Sequence, residues 1–225
     1  MQPQDASTAF LFKLWPWIEA NKNRVIVGAG IIVVAVFLYS FLSWQREQKE
    51  ITAGRALTQL TLSNPASASA GQPADAYLKI AGEYPDTLGG RRAQLQGATA
   101  LFAAGRFADA QVQFQKFLDA HPDGDFSASA ALGVAASLEA VGKLDLAVGA
   151  YQRVVNGFSD VVAGNIAKFA LARIDERQGK FTDALDLYES IARSTPGSAA
   201  ASEARMRAVE LRTKVVSATS ATGNP

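Results

Sequence analysis

Gly105-Arg106-Phe107 returns 37 residues later as Gly142-Lys143-Leu144, and again as Gly179-Lys180-Phe181. Five residues after each glycine stands an alanine: Ala110, Ala147, Ala184. Four further on comes an aromatic (Phe114, Tyr151, Tyr188), and three after that another apolar residue (Phe117, Val154, Ile191). Pro85, Pro122 and Pro196 keep the same beat, with Ser159 in the remaining place. A repeat of this length predicts a helical hairpin that cannot bury its apolar face alone and must stack on its neighbours.

Each unit reads as two antiparallel helices. In the first unit they are predicted at residues 92–103 and 108–120, joined by the glycine-basic-aromatic turn. A turn glycine supplies the left-handed cap that ends the first helix. Asp109 and Asp183 fall in the first turn of their second helices, where the helix dipole favours acids. Ala110, Phe114 and Phe117, spaced i, i+4, i+7, share one face. The alanine must be small because the first helix crosses there. Pro122 then ends the second helix. First helices echo as well: Ala98, Ala135 and Ala172 are 37 apart, and Leu95, Leu132, Phe169 and Met206 hold a second register. The units span 91–122, 127–159 and 163–196.

The ends of the array are ragged. Tyr77, Ile80 and Pro85 fit the second-helix register one period early, with Pro73 at the alanine place. Their first helix is expected at 47–62, displaced by a Ser/Ala-rich loose insert at 63–72. A last helix is expected at 199–214. Val216 stands where the next turn glycine would be, so this helix is a cap. A disordered tail is expected over 215–225. His121 shares its repeat position with Tyr84, Phe158 and Thr195, which gives it a packing role.

Residues 25–44 run twenty residues without a charge. A helix of that length spans ~30 Å, the thickness of the bilayer hydrocarbon. Lys22 and Arg24 bound it on one side and Arg46 on the other, and Tyr39 and Trp44 sit towards one end. A secretory signal core is shorter, ~7–15 residues, and precedes a small-residue cleavage site; this run continues into Trp44-Gln45-Arg46. A buried core helix would show a polar stripe. The expectation is an uncleaved single-pass transmembrane helix behind a short tail, 1–24. Orientation stays open, because Lys13, Lys22 and Arg24 balance Arg46, Lys49 and Arg55. Residues 10–18, with Trp15 and Trp17 around Pro16, read either as an interfacial segment or as a loose tail with aromatic anchors. Gly28 and Gly30 lack a small residue four positions on, so they form no small-xxx-small pair.

The balance of charge, 22 Lys+Arg against 21 Asp+Glu, leaves 19 against 19 beyond residue 44, once three bases and two acids are subtracted. This gives no basic stripe for a nucleic acid. With no cysteine, disulfides, thiolate metal sites and a lipid-modified N-terminal cysteine are excluded; with one histidine, a multi-histidine metal site is excluded too. No cofactor is expected. Asp183/Asp186 and Asp175/Glu176 fall in helices as ordinary surface charges, and no phosphate loop or nucleophile set is in view, so no enzyme activity is expected.

The hairpins resemble tetratricopeptide repeats stretched from the usual length, more closely in the second helices than in the first, which lack that family's Trp and Tyr. The fold expected is all-α: a transmembrane helix, then an α-solenoid of tetratricopeptide-like hairpins over 46–214. The order of parts, a tail ending Glu19-Ala-Asn-Lys-Asn-Arg24, a Gly-containing anchor ending at Trp44, and a helix continuing through Gln45, resembles the bacterial ancillary Sec-translocon subunit family. That resemblance implies an inner-membrane protein with its tail inside and its repeats in the periplasm. It also implies protein partners among translocation channel subunits and periplasmic chaperones. The alternative is a structural subunit of another envelope complex. By register and resemblance, Thr99, Phe102, Glu139, Arg173, Glu176 and Arg177 are the candidate protein-binding groove; the competing reading is an ordinary solvated helix face.

Overall fold

The computed structural model describes residues 21–63, 74–158 and 161–222, without the side chains of 24–26, 28–29, 63 and 217–222. The segment at 10–18, nearly all of the insert, Pro73 and Ser159 lie outside the described residues. Among the described residues all regular structure is helical. The chain divides into two units, residues 1–52 and 53–225.

The first unit holds most of α1 (Lys22–Ser63). No proline interrupts this stretch, so the helix begins before the apolar run and continues past it. A separate start near residue 47 was expected, but nothing between Trp44 and Glu50 breaks a helix. Its apolar side chains point all round: Ile31, Val34, Phe37, Leu38 and Trp44 are exposed. Four members of the charge-free run, Val25, Ile26, Gly28 and Ala29, have side chains outside the description. Among the described residues no helix is long and apolar enough to cross a membrane. The span expected at 25–44 accordingly rests on the sequence.

In the second unit each helix packs on the next in chain order: α2 (Ala74–Glu83), α3 (Leu88–Ala103), α4 (Phe107–Ala120), α5 (Ser127–Ala140), α6 (Leu144–Gly157), α7 (Val161–Arg177), α8 (Phe181–Ser194) and α9 (Ala199–Thr222). This is the stacked hairpin array that the echo predicts. Ala110, Ala147 and Ala184 are fully buried, as are Ala98, Ala135 and Ala172 on the first helices. Phe114, Tyr151 and Tyr188 fill the space beside them, and Phe117, Val154 and Ile191 close the face. Small residues let the helices approach closely, while burying each aromatic supplies about 2 kcal/mol of hydrophobic stabilisation. Tyr77 and Ile80 of α2 are buried one period early, as expected.

The three turns share one geometry. Gly105, Gly142 and Gly179 have φ of +76°, +79° and +75°. In each, the glycine N–H donates three residues back (to Phe102, Glu139 and Glu176). The next N–H donates five back (to Leu101, Leu138 and Asp175), which satisfies carbonyls that the helix end leaves open. Asp109, Asp145 and Asp183 sit in the first turn of the helix that follows.

Two further boundaries differ from expectation by several residues. Helix α3 starts at Leu88 rather than 92 because Thr87 caps it, its Oγ1 accepting from the Gly90 N–H at 2.9 Å. The glycines that follow are there for close approach: a Cβ on Gly89 would meet Ala53 at 2.9 Å, and one on Gly90 would meet the Tyr84 carbonyl oxygen at 1.8 Å. Helix α9 runs to Thr222, where a tail was expected from 215; Val216 replaces the turn glycine and no breaker precedes Gly223. His121 takes its packing role, with its ring edge-on to Phe117 at 5.1 Å.

Candidate functional site

First helices of successive units touch directly, α3 with α5 and α5 with α7. They therefore line the inner side of the stack, and the faces they turn away from the second helices form its inner surface. The residues of that surface come from fixed places in the repeat. Leu95, Leu132 and Phe169 occupy one; Thr99, Ala136 and Arg173 the next; Phe102, Glu139 and Glu176 a third.

The two early units make an apolar recess of about 270 Å³. Leu95, Thr99 and Phe102 come from α3, and Leu132, Gly133 and Ala136 from α5. Ile166 of α7 forms one edge, and the rings of Phe114 and Tyr151 lie at the back. Gly133 is required for this shape: a Cβ there would press on the Phe114 ring at 2.6 Å. Phe102 is held edge-on against Phe107 at 5.0 Å, which fixes that end of the wall.

Beyond Tyr151 the surface turns polar. The Tyr151 hydroxyl donates to Glu139 Oε2 at 2.9 Å. Arg173 donates to Glu139 Oε1 at 3.2 Å and Arg177 to the same oxygen at 2.8 Å, both reaching across from the following unit. The Glu139 side chain is only 13% exposed, whereas those of Arg173 and Arg177 are 61% and 57% exposed. Burial, and then the hydrogen bond to Glu139, raise the Tyr151 phenol above its ordinary range, so it stays a donor. One unit later Tyr188 donates to Glu176 Oε1 at 2.7 Å, and burial again raises the phenol.

The candidate groove residues therefore divide. Thr99 and Phe102 stand in the recess. Glu139, Arg173 and Arg177 form one cluster beside it. Glu176 belongs to a separate pair with Tyr188. Sequence reasoning missed the contribution of Tyr151 and Gly133. Its available signal was a coupled change at period 37: Phe102 with Phe114 becomes Glu139 with Tyr151, then Glu176 with Tyr188. The first unit has an apolar pair where the others have an acid and a hydroxyl donor.

Two larger openings, about 370 and 560 Å³, lie around residues 122–126 and 157–158. They are open turn surfaces rather than part of the inner face. Among the described residues no cluster of His, Cys, Asp and Glu is arranged to hold a metal ion.

A family model for a tetratricopeptide repeat-like domain matches residues 16–149, and one for the tetratricopeptide repeat matches 135–199 and 169–210. No curated protein matches. Among solved structures, the chain is similar to the nearly identical TPR-like repeats of a Podosopora anserina candidate kinesin light chain. The TM-score is 0.51 at 13% identity, covering 79% of this chain and 90% of that one. A variant of the same protein gives the same figures. At that identity the likeness is one of fold.

Proposed function

The chain belongs to the tetratricopeptide repeat-like domain family, and from that membership we propose that it is a non-enzymatic protein-binding module held at a membrane. The observation that carries the binding reading is the recess between α3 and α5, an apolar surface of the size of one large side chain on the inner face. Membrane attachment rests on the charge-free run of residues 25–44. Tethering raises the local concentration of such a module near a membrane partner.

More specifically, the chain is an accessory subunit of the protein translocation channel, in the bacterial inner membrane, with its repeats in the periplasm and in contact with chaperones there. What supports this is the order of tail, anchor and repeats. Site-specific photo-crosslinking in intact membranes tests it. A crosslinker at Leu132 is expected to give protein adducts that one at exposed Val112 of α4 does not. Equal labelling from both positions would remove the groove reading. Adducts lacking channel subunits and envelope chaperones would remove the translocon assignment and favour a scaffold subunit of another envelope complex. A C-terminal reporter active only in the cytoplasm would reverse the orientation.

A further inference from the structure

We propose that α9 is the pairing surface of a symmetric dimer, lying side by side and in parallel with α9 of a second copy of this chain. A helix that closes a stack should turn a polar face outward. α9 does so only in part. Ala204, Ala208 and Leu211 are buried with Ala184, Tyr188 and Ile191 of α8. On the far side Met206, Val209 and Val216 are 68%, 59% and 65% exposed. Val209 holds the repeat place of Ala98, Ala135 and Ala172, each of which is fully buried. Among the described residues no helix follows α9, so this place lies open at the end of the array.

Spacing, side and direction all come from the helix itself. Met206, Val209, Thr213 and Val216 follow the alternating three- and four-residue steps of a heptad seam, at its a and d places. Glu203 and Glu210 then border the seam on one side, both at e, and Arg205 and Arg212 border it on the other, both at g. A parallel pair sets g of one helix against e of the partner's next heptad. Arg205 then meets Glu210 of the second copy, and symmetry repeats the contact. An antiparallel pair sets like border against like, arginine against arginine and glutamate against glutamate. The bordering charges balance in sign. Arg207 and Lys214 lie one place further round, behind Glu210, and approach it at 3.8 Å and 2.8 Å; Arg212 also engages Glu189 of α8. The seam is short and includes a threonine, so its apolar contact is small. Packing on α8 already holds α9 as a helix, which removes the ordering cost that an isolated pair of this length would bear. A modest affinity, set largely by the charges, follows.

The chain has no cysteine, which makes the test direct. Ser202→Cys, Val209→Cys and Val216→Cys, all at d places, are compared with Val112→Cys on exposed α4, each as the full chain in non-ionic detergent. Under copper-phenanthroline oxidation each α9 variant alone is expected to give covalent dimer well above the Val112→Cys level, because a parallel pair brings equal d places within disulfide reach. Dimer formed only on mixing Ser202→Cys with Val216→Cys would mean antiparallel pairing and would overturn the inference. Yields at the control level from every position would overturn it as well. Charge is tested on the Val209→Cys chain. Arg205→Glu or Glu210→Arg should each lower the yield by about fivefold, and mixing those two variants should restore it, since each then offers the other the opposite charge. A yield unchanged across that series removes the charge pairing and the parallel dimer with it. Circular dichroism and the urea midpoint confirm that each variant is folded. None of these variants touches the recess, so the groove reading stands or falls separately.

Discussion

The Tyr151 hydroxyl donates to the Glu139 carboxylate across 2.9 Å, joining the second helix of one unit to its first. In the preceding unit the same two places hold Phe114 and Phe102. Both combinations are internally matched, apolar with apolar or donor with acceptor. Breaking a match should cost more than exchanging it. Tyr151→Phe alone is expected to lower stability by about 1 kcal/mol, because Glu139 loses one of its donors. The double change Tyr151→Phe with Glu139→Phe rebuilds the pattern of the first unit. A double-mutant cycle by urea denaturation should show favourable coupling of about 1 kcal/mol or more. Strict additivity would mean that the bond contributes nothing.

Glycine turns should respond through the backbone alone. Gly142 has φ of +79°, and a Cβ there would touch nothing within 4 Å. Gly142→Ala therefore introduces left-handed strain without a clash, and a loss of about 1–2 kcal/mol is expected. Gly142→Asn should lose less, since asparagine tolerates that region better. Thermal unfolding of the two variants side by side checks the order.

Gly90 should respond through contact. The Tyr84 carbonyl oxygen that a Cβ would strike also accepts from the Thr87 N–H at 3.2 Å and the Thr87 hydroxyl at 2.8 Å. Gly90→Ala is expected to cost more than Gly142→Ala, about 3 kcal/mol or above, by displacing the cap of α3. An unfolding midpoint within error of the parent would contradict this.

Asp175 stands where the two earlier units have buried Leu101 and Leu138. Burial raises its carboxyl above the ordinary range, opposed by Lys180 and reinforced by Asp183. A raised folded value means that the folded state holds the proton more tightly than the unfolded one. The contribution is most favourable below the unfolded value and is lost as pH rises through the raised one. Asp175→Asn should therefore stabilise the chain at neutral pH and lose that advantage under acid. Asp175→Leu should stabilise further by restoring the repeat pattern. Denaturation midpoints across an acid-to-neutral series check both; a constant difference between parent and Asp175→Asn would rule out the linkage.

Legibility in the sequence followed the range of the interactions. The Ala, aromatic and apolar marks on the second helices are set by packing within a unit, so a fixed period exposes them. The turns were equally plain, because a positive φ leaves few residue choices. Helix starts were less visible: Thr87 caps α3 and Ser198, three periods on, caps α9, its Oγ accepting from the Ala201 N–H at 3.0 Å, but Gly124 and Val161 hold that place between them, so no unbroken mark shows it. For the candidate site, the register assigned Thr99, Phe102 and Glu139 to the first helices; the structure sets Thr99 and Phe102 in the recess and Glu139 against the Tyr151 hydroxyl. The register did not bring Arg173 and Arg177 to Glu139, which they reach across 34 and 38 positions of sequence. That meeting depends on how far one unit is offset from the next, and a linear period carries no measure of offset.

The open turns also bear on how such a chain can lengthen. Nothing stands within 4 Å of an added carbon at Gly105, Gly142 or Gly179, so the stack's rim is uncrowded at each joint. A unit touches only its neighbours, and successive units repeat the same pair of complementary sides. Duplicating a segment from one turn glycine to the next would supply matching surfaces at both seams. Growth by whole units leaves the existing joints untouched, so the reach of the array is a property that duplication alone can change.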